Sequence, residues 1–272
     1  MAASTPRPTP RFGRIGIRRS LVCSVIALGA LGASAHTLEA QRGGGDGFLF
    51  NRPSGSLTLR GGFARPNAAS EIFSFISDTL TVGQRDFDGI TFGASLSIWV
   101  NSYMDVVLAA DHATQSTRSQ FRNWLEEGPT ESEDDDLPIE QTTTFQRTPI
   151  TLGLRAYLLP RGRSIGQFAW VPRGFAPYIE VCGGAVGYRF EQDGDFVDFA
   201  DSTIFTDRIE SEGWTPVVSG SAGFEISLSP RVALTTEGRY SWAEAEMSQD
   251  FEGFDRIDLS GLSASLGLTF RF

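Results

Sequence analysis

Apolar residues alternate with small or polar residues along most of the chain from residue 54 onward. A period of two indicates strands whose two faces meet different surroundings. Clusters of Gly, Pro, Asn, Asp and Ser divide this pattern into eight segments. We therefore predict eight strands, over roughly 56–65, 90–100, 104–111, 145–159, 176–190, 218–228, 232–242 and 262–272.

The fifth segment is less regular than the others. Its apolar set begins with Ile179 and continues with Val186 and Tyr188, which lie at positions of opposite parity. A glycine pair at 183–184 lies where the parity changes. Since glycines inside a strand often mark a bulge, we predict a register shift at this pair.

The connections between the predicted strands alternate in length. Those after the first, third, fifth and seventh strands are long, roughly 66–89, 119–144, 191–214 and 247–256, and those after the second and sixth are only a few residues. The connection 160–174 is an exception, because it is long but falls on the short side. An even number of strands with this alternation predicts an all-β fold, an eight-stranded antiparallel up-and-down barrel with its long connections at one end.

Side-chain size favours a transmembrane barrel over a soluble, lipocalin-like barrel. The polar face of the strands consists mostly of Gly, Ala, Ser and Thr, which fit the narrow interior of eight strands. A water-exposed outer face should instead be rich in long charged residues, yet the chain contains no Lys and few charges inside the segments. The bulky apolar face is therefore expected to contact lipid.

Eight charged residues lie on the small-residue face and are expected to point into the lumen. Four are basic and four are acidic, so their charges sum to zero. Isolated charges in a narrow lumen would be costly, which predicts a plug of paired charges. The alternative is a charged pore constriction, although selective pores more often carry a ring of one sign. The eight residues are Arg60, Asp111, Arg155, Glu180, Glu225, Glu237, Arg239 and Arg271.

The N-terminal segment has the pattern of a secretory signal peptide. Residues 1–20 carry five Arg and no acidic residue, and an apolar run follows from Leu21 to Leu31. This run is shorter than the roughly 20 residues that a membrane-spanning helix needs. Small residues allow cleavage after Ala35 or Ala40. We predict a signal peptide over 1–40, a short linker over 41–53 and an outer-membrane barrel over 54–272.

The net charge of the chain restricts the kinds of partner that it can bind. The formal net charge of the chain is −10, and removal of residues 1–40 would leave 18 basic and 32 acidic residues, a net charge of −14. This charge argues against binding to nucleic acid. Acidic residues concentrate in the predicted loops 119–144 and 191–214, where we expect solvated surface segments; divalent cations held by carboxylates are the alternative.

No residue pattern indicates catalysis, a cofactor or a clustered metal site. His112 follows Asp111, but neighbouring strand residues point to opposite faces, so the two are poorly placed as a base and its orienting partner. Cys182 is expected to be a small lumen filler. Seven tryptophan and tyrosine residues lie near predicted strand ends and are expected to form girdles at the membrane interfaces. They are Trp99, Tyr103, Tyr157, Tyr178, Trp214, Tyr240 and Trp242.

Together, the export signal, the eight alternating strands and the aromatic C-terminal strand resemble small outer-membrane β-barrel proteins of the OmpA and OmpX type. The resemblance covers roughly residues 54–272. It implies that the last strand is recognised by the barrel-assembly machinery, through the positions Leu266, Leu268, Phe270 and Phe272. It also implies a location in outer-membrane lipid and a structural or surface-interaction role, such as envelope integrity, adhesion or recognition. A passive channel for small solutes and a lipid-modifying enzyme are the alternatives.

Overall fold

The computed structural model describes residues 47–126, 137–198 and 203–272. Within these residues, eight long strands form a closed antiparallel barrel, and five short strands, one α-helix and two short 3-10 turns accompany it. The barrel strands are β2 (Gly55–Pro66), β3 (Gly89–Trp99), β4 (Met104–Glu126), β5 (Leu137–Tyr157), β8 (Phe175–Val197), β9 (Ile204–Ser227), β10 (Val232–Trp242) and β13 (Gly261–Arg271). The short elements are β1 (Leu49–Phe50), β6 (Gly162–Ile165), β7 (Ala169–Pro172), β11 (Glu244–Ala245), β12 (Ile257–Asp258), helix α1 (Glu71–Thr79) and the 3-10 turns Gln84–Phe87 and Gln249–Phe251.

Each barrel strand pairs with the barrel strands that precede and follow it in the chain, and β13 closes the ring by pairing with β2. The short connections 100–103 and 228–231 lie at one end of the barrel, with the longer connection 158–174, as predicted. We call this end, formed by residues 47–55, 99–105, 157–176 and 226–232, the short-turn end. The predicted eight-stranded up-and-down barrel is confirmed.

Four strands are much longer than the sequence pattern predicted. Strands β4, β5, β8 and β9 contain 21 to 24 residues each, so most of the predicted loops 119–144 and 191–214 is strand. The pairing of β8 with β9 continues without interruption from Phe175↔Ile226 to Val197↔Ile204. The acidic residues of the second predicted loop that fall in these strands therefore lie on a rigid ladder. Acidic residues 127, 131, 133–136 and 201 lie outside the described residues.

The four long strands project beyond β2, β3, β10 and β13, and the long connections cover the edges that this leaves open. On one side, Thr81 N–H donates to the Gln120 carbonyl at 2.8 Å and Arg122 Nε donates to the Leu80 carbonyl at 2.7 Å. On the other side, Thr215 Oγ1 donates to the Glu244 carbonyl at 2.7 Å. Covered edges cannot pair with another chain.

The projecting strands and the long connections enclose an apolar cluster. Helix α1 inserts Ile72, Phe73 and Ile76 into it, and the 3-10 turn of the second connection adds Phe251. Phe73 is fully buried, with ring centroids at 5.0 to 5.8 Å from those of three other phenylalanines. We call this part of the molecule, residues 67–88, 115–126, 137–146, 187–198, 203–213 and 243–260, the outer cap.

The register of β8 is continuous at the glycine pair, so the predicted bulge there is wrong. Leu152↔Gly183 and Thr151↔Gly184 are successive pairs with β5. Ile179 points outward, and Val186 and Tyr188 point inward, because the apolar face of the strand changes sides. Near the short-turn end the apolar face meets the surroundings of the barrel, whereas in the cap it meets the enclosed cluster.

A small sheet lies across the short-turn end. Strand β7 pairs with β1 on one side and with β6 on the other. Residues 49–50 fall in the segment 41–53, which was predicted to be a linker. They form a strand because the connection 158–174 offers them a partner.

The outer wall of the barrel carries a continuous apolar band. Phe63, Ile90, Leu152, Val181 and Leu266 are each more than half exposed, and their neighbours of the same parity are also apolar. The inward-facing residues at the same levels are small or charged. An apolar exterior around a polar interior is the arrangement of a membrane-spanning barrel. Among the described residues, no helix is long and apolar enough to cross a membrane.

The predicted aromatic girdles are only partly correct. Trp214, Tyr240, Trp242 and Tyr103 are exposed or half-buried residues near the ends of the apolar band. Trp99 faces inward, where its ring lies under the buried Arg161 guanidinium, and Tyr157 and Tyr178 are buried in the lumen. Both tyrosines alternate with outward-facing apolar neighbours, so their parity, rather than their position near a strand end, decides where they point.

Candidate functional site

The structure brings all eight predicted lumen charges together in one network across the middle of the barrel. Alternation places each on the inward face of its strand, and the antiparallel register then sets its height in the lumen. The ion pairs link Arg60 to Asp111, Asp111 to Arg239, Arg239 to Glu180 and Glu237, Arg155 to Glu180, Glu225 and Glu237, and Glu225 to Arg271.

Arg155 is the central member of this network. Its Nε atom donates to Glu180 at 2.7 Å, and its Nη atoms lie 3.5 Å from Glu237 and 3.7 Å from Glu225. The guanidinium also lies over the ring of Tyr178, at 4.1 Å from its centroid. The Arg155 and Glu180 side chains are 1% and 0% exposed. Because buried charges need partners, this geometry holds four strands at fixed heights.

Uncharged side chains also join the network, among them two tyrosines and a cysteine that the sequence pattern did not assign to it. Tyr157 donates to Glu225 at 2.6 Å, and Tyr178 donates to Glu237 at 3.0 Å. Cys182 donates to Glu180 at 3.1 Å. Cys182 is a buried filler, as its position among glycines indicated. The inward parity of the two tyrosines was the signal that could have identified them.

A separate buried ion pair closes the lumen at the short-turn end. Arg161 donates to Asp105 at 2.6 Å, and its guanidinium lies over the rings of Trp99 and Tyr157, at 3.6 and 4.5 Å from their centroids. Trp170 of the small sheet is buried, with its ring centroid 5.5 Å from that of Trp99. Sequence reasoning missed this pair, because Arg161 lies in a connection where no periodicity indicates its direction.

The outer cap closes the opposite end. The cavity between the charge network and the apolar cluster has a volume of about 60 Å³ and is lined by residues such as Arg60, Arg147, Val186 and Leu259. Arg147 donates to the Leu259 carbonyl at 2.9 Å, which ties the barrel wall to the second long connection. A space of this size holds a few water molecules. Small sheet, charge network and apolar cluster thus follow one another along the lumen.

The outward face of β8 and β9 in the outer cap carries a ladder of charges. Arg189 contacts Glu191 and Glu210 at 3.1 and 2.7 Å, and Arg208 contacts Glu191 at 2.7 Å. The hydrogen bond and the charge of Glu191 raise the pKa of Arg208 above its ordinary value. The further carboxylates on this face are Asp193, Asp195 and Glu212. The cap therefore presents an ordered acidic surface.

The structure places His112 and Asp111 on opposite faces of β4. Asp111 belongs to the lumen network, whereas His112 points outward, with Nδ1 at 2.9 Å from Thr148 Oγ1 and its ring 5.4 Å from that of Phe92. Within residues 47–126, 137–198 and 203–272, no group of three or more His, Cys, Asp or Glu is arranged to hold a metal ion.

No family model matches the chain, and no curated protein matches it. The chain is similar to the outer membrane protein OprG from Pseudomonas aeruginosa, with 15% sequence identity, a TM-score of 0.44 and coverage of 82% of this chain and 99% of that one. It is similar to Neisserial surface protein A, with 13% identity, a TM-score of 0.39 and coverage of 80% and 97%. It is also similar to Ail, the attachment invasion locus protein of Yersinia pestis, with 11% identity, a TM-score of 0.39 and coverage of 80% and 99%. The eight-stranded antiparallel barrel that the resemblance implies is the fold that the structure shows.

Proposed function

We propose that the protein is a non-conducting outer-membrane barrel of a Gram-negative-type bacterium that acts through its ends, in envelope integrity, adhesion or surface recognition. The observation that carries this proposal is the filling of the lumen by three successive layers. These are the small sheet with Trp170, the network around Arg155 and the apolar cluster around Phe73. A solute path would need all three layers to open.

The outer cap supports a role in surface interaction. Strands β8 and β9, rather than loops, carry the carboxylates of the charge ladder, so a partner meets a preformed surface there and loses little binding energy to ordering it. The uncompensated charge of this surface is negative, which favours cationic partners. The N-terminal pattern supports export, and residues 1–46 lie outside the described residues.

The test is single-channel recording of the mature protein, refolded in detergent and incorporated into a planar bilayer. Heat-modifiable migration on a gel establishes in parallel that the barrel has formed, and a general porin refolded in the same way serves as the positive control. We expect a folded barrel with no discrete openings. Steady openings from a folded barrel would refute the proposal and establish the passive channel instead.

We also propose that the last strand carries the assembly signal that the resemblance implies, at Leu266, Leu268, Phe270 and Phe272. All four side chains point outward and are exposed, so a receptor could contact them before the barrel closes. We expect Phe272→Ala to lower the amount of heat-modifiable barrel in cells while refolding in detergent stays unchanged. An equal loss in both settings would assign Phe272 to barrel stability instead.

The proposal contains no catalytic step. His112 is turned toward the surroundings of the barrel and contacts a threonine and a phenylalanine, with no carboxylate to orient it. We expect His112→Ala to leave the folded barrel and its surface interactions unchanged. Loss of an activity on a lipid substrate in this variant would instead support the lipid-modifying alternative.

A further inference from the structure

The short-turn end has the opposite charge from the outer cap. Its described residues contain five arginines and one carboxylate side chain, that of Asp105. Asp105 is buried and already paired with Arg161. The other four arginines are exposed, and no carboxylate of the described residues lies within 4.0 Å of any of them. They are Arg52, Arg163, Arg173 and Arg231.

These arginines are spread around the barrel rather than gathered in one patch. Arg52, Arg173 and Arg231 precede strands β2, β8 and β10, and no two of these strands are neighbours in the ring. Arg163 lies on β6 of the small sheet. A compact protein partner would require cations close together, whereas a planar layer that surrounds the barrel meets each of them.

The apolar band reaches the same level of the molecule. Leu158 and Leu228, in the connections at this end, and Phe272 are each about 60% exposed, and Phe175 follows Arg173 by two residues. On the small sheet, the exposed Phe50 is level with Ile165 across β7. Apolar side chains next to cations that have no carboxylate partner match the boundary between hydrocarbon and headgroups in a lipid leaflet.

We propose that the short-turn end binds the phosphates of anionic phospholipids in the leaflet that surrounds it, through Arg52, Arg163, Arg173 and Arg231. The inference rests on the barrel spanning a membrane, as proposed above, and does not depend on whether the lumen conducts. Arginine suits this role because its planar guanidinium forms paired hydrogen bonds to phosphate oxygens. The anionic surface attracts each arginine enough to change lipid binding by about five-fold.

The test uses the refolded mature protein in nanodiscs that contain brominated phosphatidylglycerol or brominated phosphatidylcholine. Because Trp99 faces the lumen, the reporter is a tryptophan introduced at the exposed Leu228 of the end in question by Leu228→Trp. The quenching that it adds to that of the native tryptophans gives the relative affinity of the barrel surface for the two lipids. The variant combines Arg52→Gln, Arg163→Gln, Arg173→Gln and Arg231→Gln. The matched control removes four exposed arginines that already have carboxylate partners, by Arg65→Gln, Arg118→Gln, Arg208→Gln and Arg256→Gln.

We expect the unchanged protein and the control to prefer phosphatidylglycerol by at least five-fold, and the variant to bind both lipids equally. Equal binding of both lipids by the unchanged protein would overturn the inference, and so would an equal loss of preference in the control. If the fourfold variant does not fold, the double variant Arg173→Gln/Arg231→Gln must reduce the preference by itself.

Failure of this inference is distinguishable from failure of the proposed function. Heat-modifiable migration and silent bilayer recordings report on the filled barrel, and neither depends on which lipid surrounds it. A barrel that remains folded and silent but has no lipid preference would refute only the role of the four arginines. Binding of a soluble acidic peptide in place of lipid would assign them to a protein partner and would also refute it.

Discussion

Removal of Arg155 is the most direct test of the lumen network. Arg155→Met keeps most of the volume of the side chain and removes the charge that three carboxylates share. Glu180, Glu225 and Glu237 would each keep one other arginine, at 2.9 to 3.0 Å, but the eight-residue network would change from neutral to a net charge of −1. Breaking a buried ion pair costs about 3–5 kcal/mol, since the remaining charge lacks compensation. Lipid outside the barrel wall offers no water to replace it.

The assay is equilibrium unfolding by urea in lipid vesicles, followed in both directions by tryptophan fluorescence and by heat-modifiable migration. We expect Arg155→Met to lower the free energy of unfolding by about 3–5 kcal/mol. The matched control is Arg118→Met, because Arg118 is 76% exposed and 4.0 Å from Glu140. This exposed pair should contribute at most about 1 kcal/mol.

A double variant separates the charge imbalance from the loss of packing. Glu180→Gln in the Arg155→Met background restores a net charge of zero, so it should cost less there than in the unchanged protein. We expect a favourable coupling of about 1–3 kcal/mol between the two positions. The explanation in terms of compensated charge is wrong if Arg155→Met costs no more than Arg118→Met, or if the two lumen substitutions are additive.

Two further predictions test the packing of the lumen and of the outer cap. Gly93→Ala would place a methyl group against the Asp111 carboxylate and should lower the free energy of unfolding by about 1–3 kcal/mol. The control is Gly238→Ala, where no atom lies within 4 Å of the added carbon, and it should change the free energy of unfolding by less than about 0.5 kcal/mol. Phe73→Ala should destabilise the cap by about 3–5 kcal/mol and expose it to limited proteolysis in micelles, while the barrel stays heat-modifiable. The control is Phe75→Ala, at a side chain that is 44% exposed, and it should leave the cap resistant to proteolysis. Urea unfolding that gives equal losses for both glycine variants, or equal cleavage of both phenylalanine variants, would contradict these assignments.

Alternation predicted the barrel because the surroundings of each strand change from lipid to lumen at every residue. The last strand illustrates this, since the pattern placed it at 262–272 and the structure places it at Gly261–Arg271. The same rule predicted the inward direction of all eight lumen charges. It could not predict their partners, because those depend on the heights that the closed ring sets. Arg60 and Asp111, for example, are 51 residues apart in sequence.

The sequence pattern did not predict the outer cap, because the apolar side chains of the strands point outward in the membrane span and inward in the cap. In β4, Leu108 points outward and is half exposed, whereas Phe121 points inward and is buried among the apolar residues of the cap. The residues around Phe121 are polar, and a strand was expected to be apolar on its outer face. This segment was therefore predicted to be a loop. The same reversal in β8 resembles a register shift at 183–184, although the pairing is continuous.

The distribution of charge gives a physical reason to look for function at the two ends. Within the membrane span, four arginines and four carboxylates compensate one another, and Arg161 and Asp105 add a further closed pair. Ion pairs inside the barrel hold the strands in position, but their charges compensate one another and leave little net charge to attract a ligand. The net charge that remains is negative in the outer cap and positive at the short-turn end. A partner that recognises this protein by its charge must therefore meet it at one of these ends, and partners at the two ends must carry charges of opposite sign.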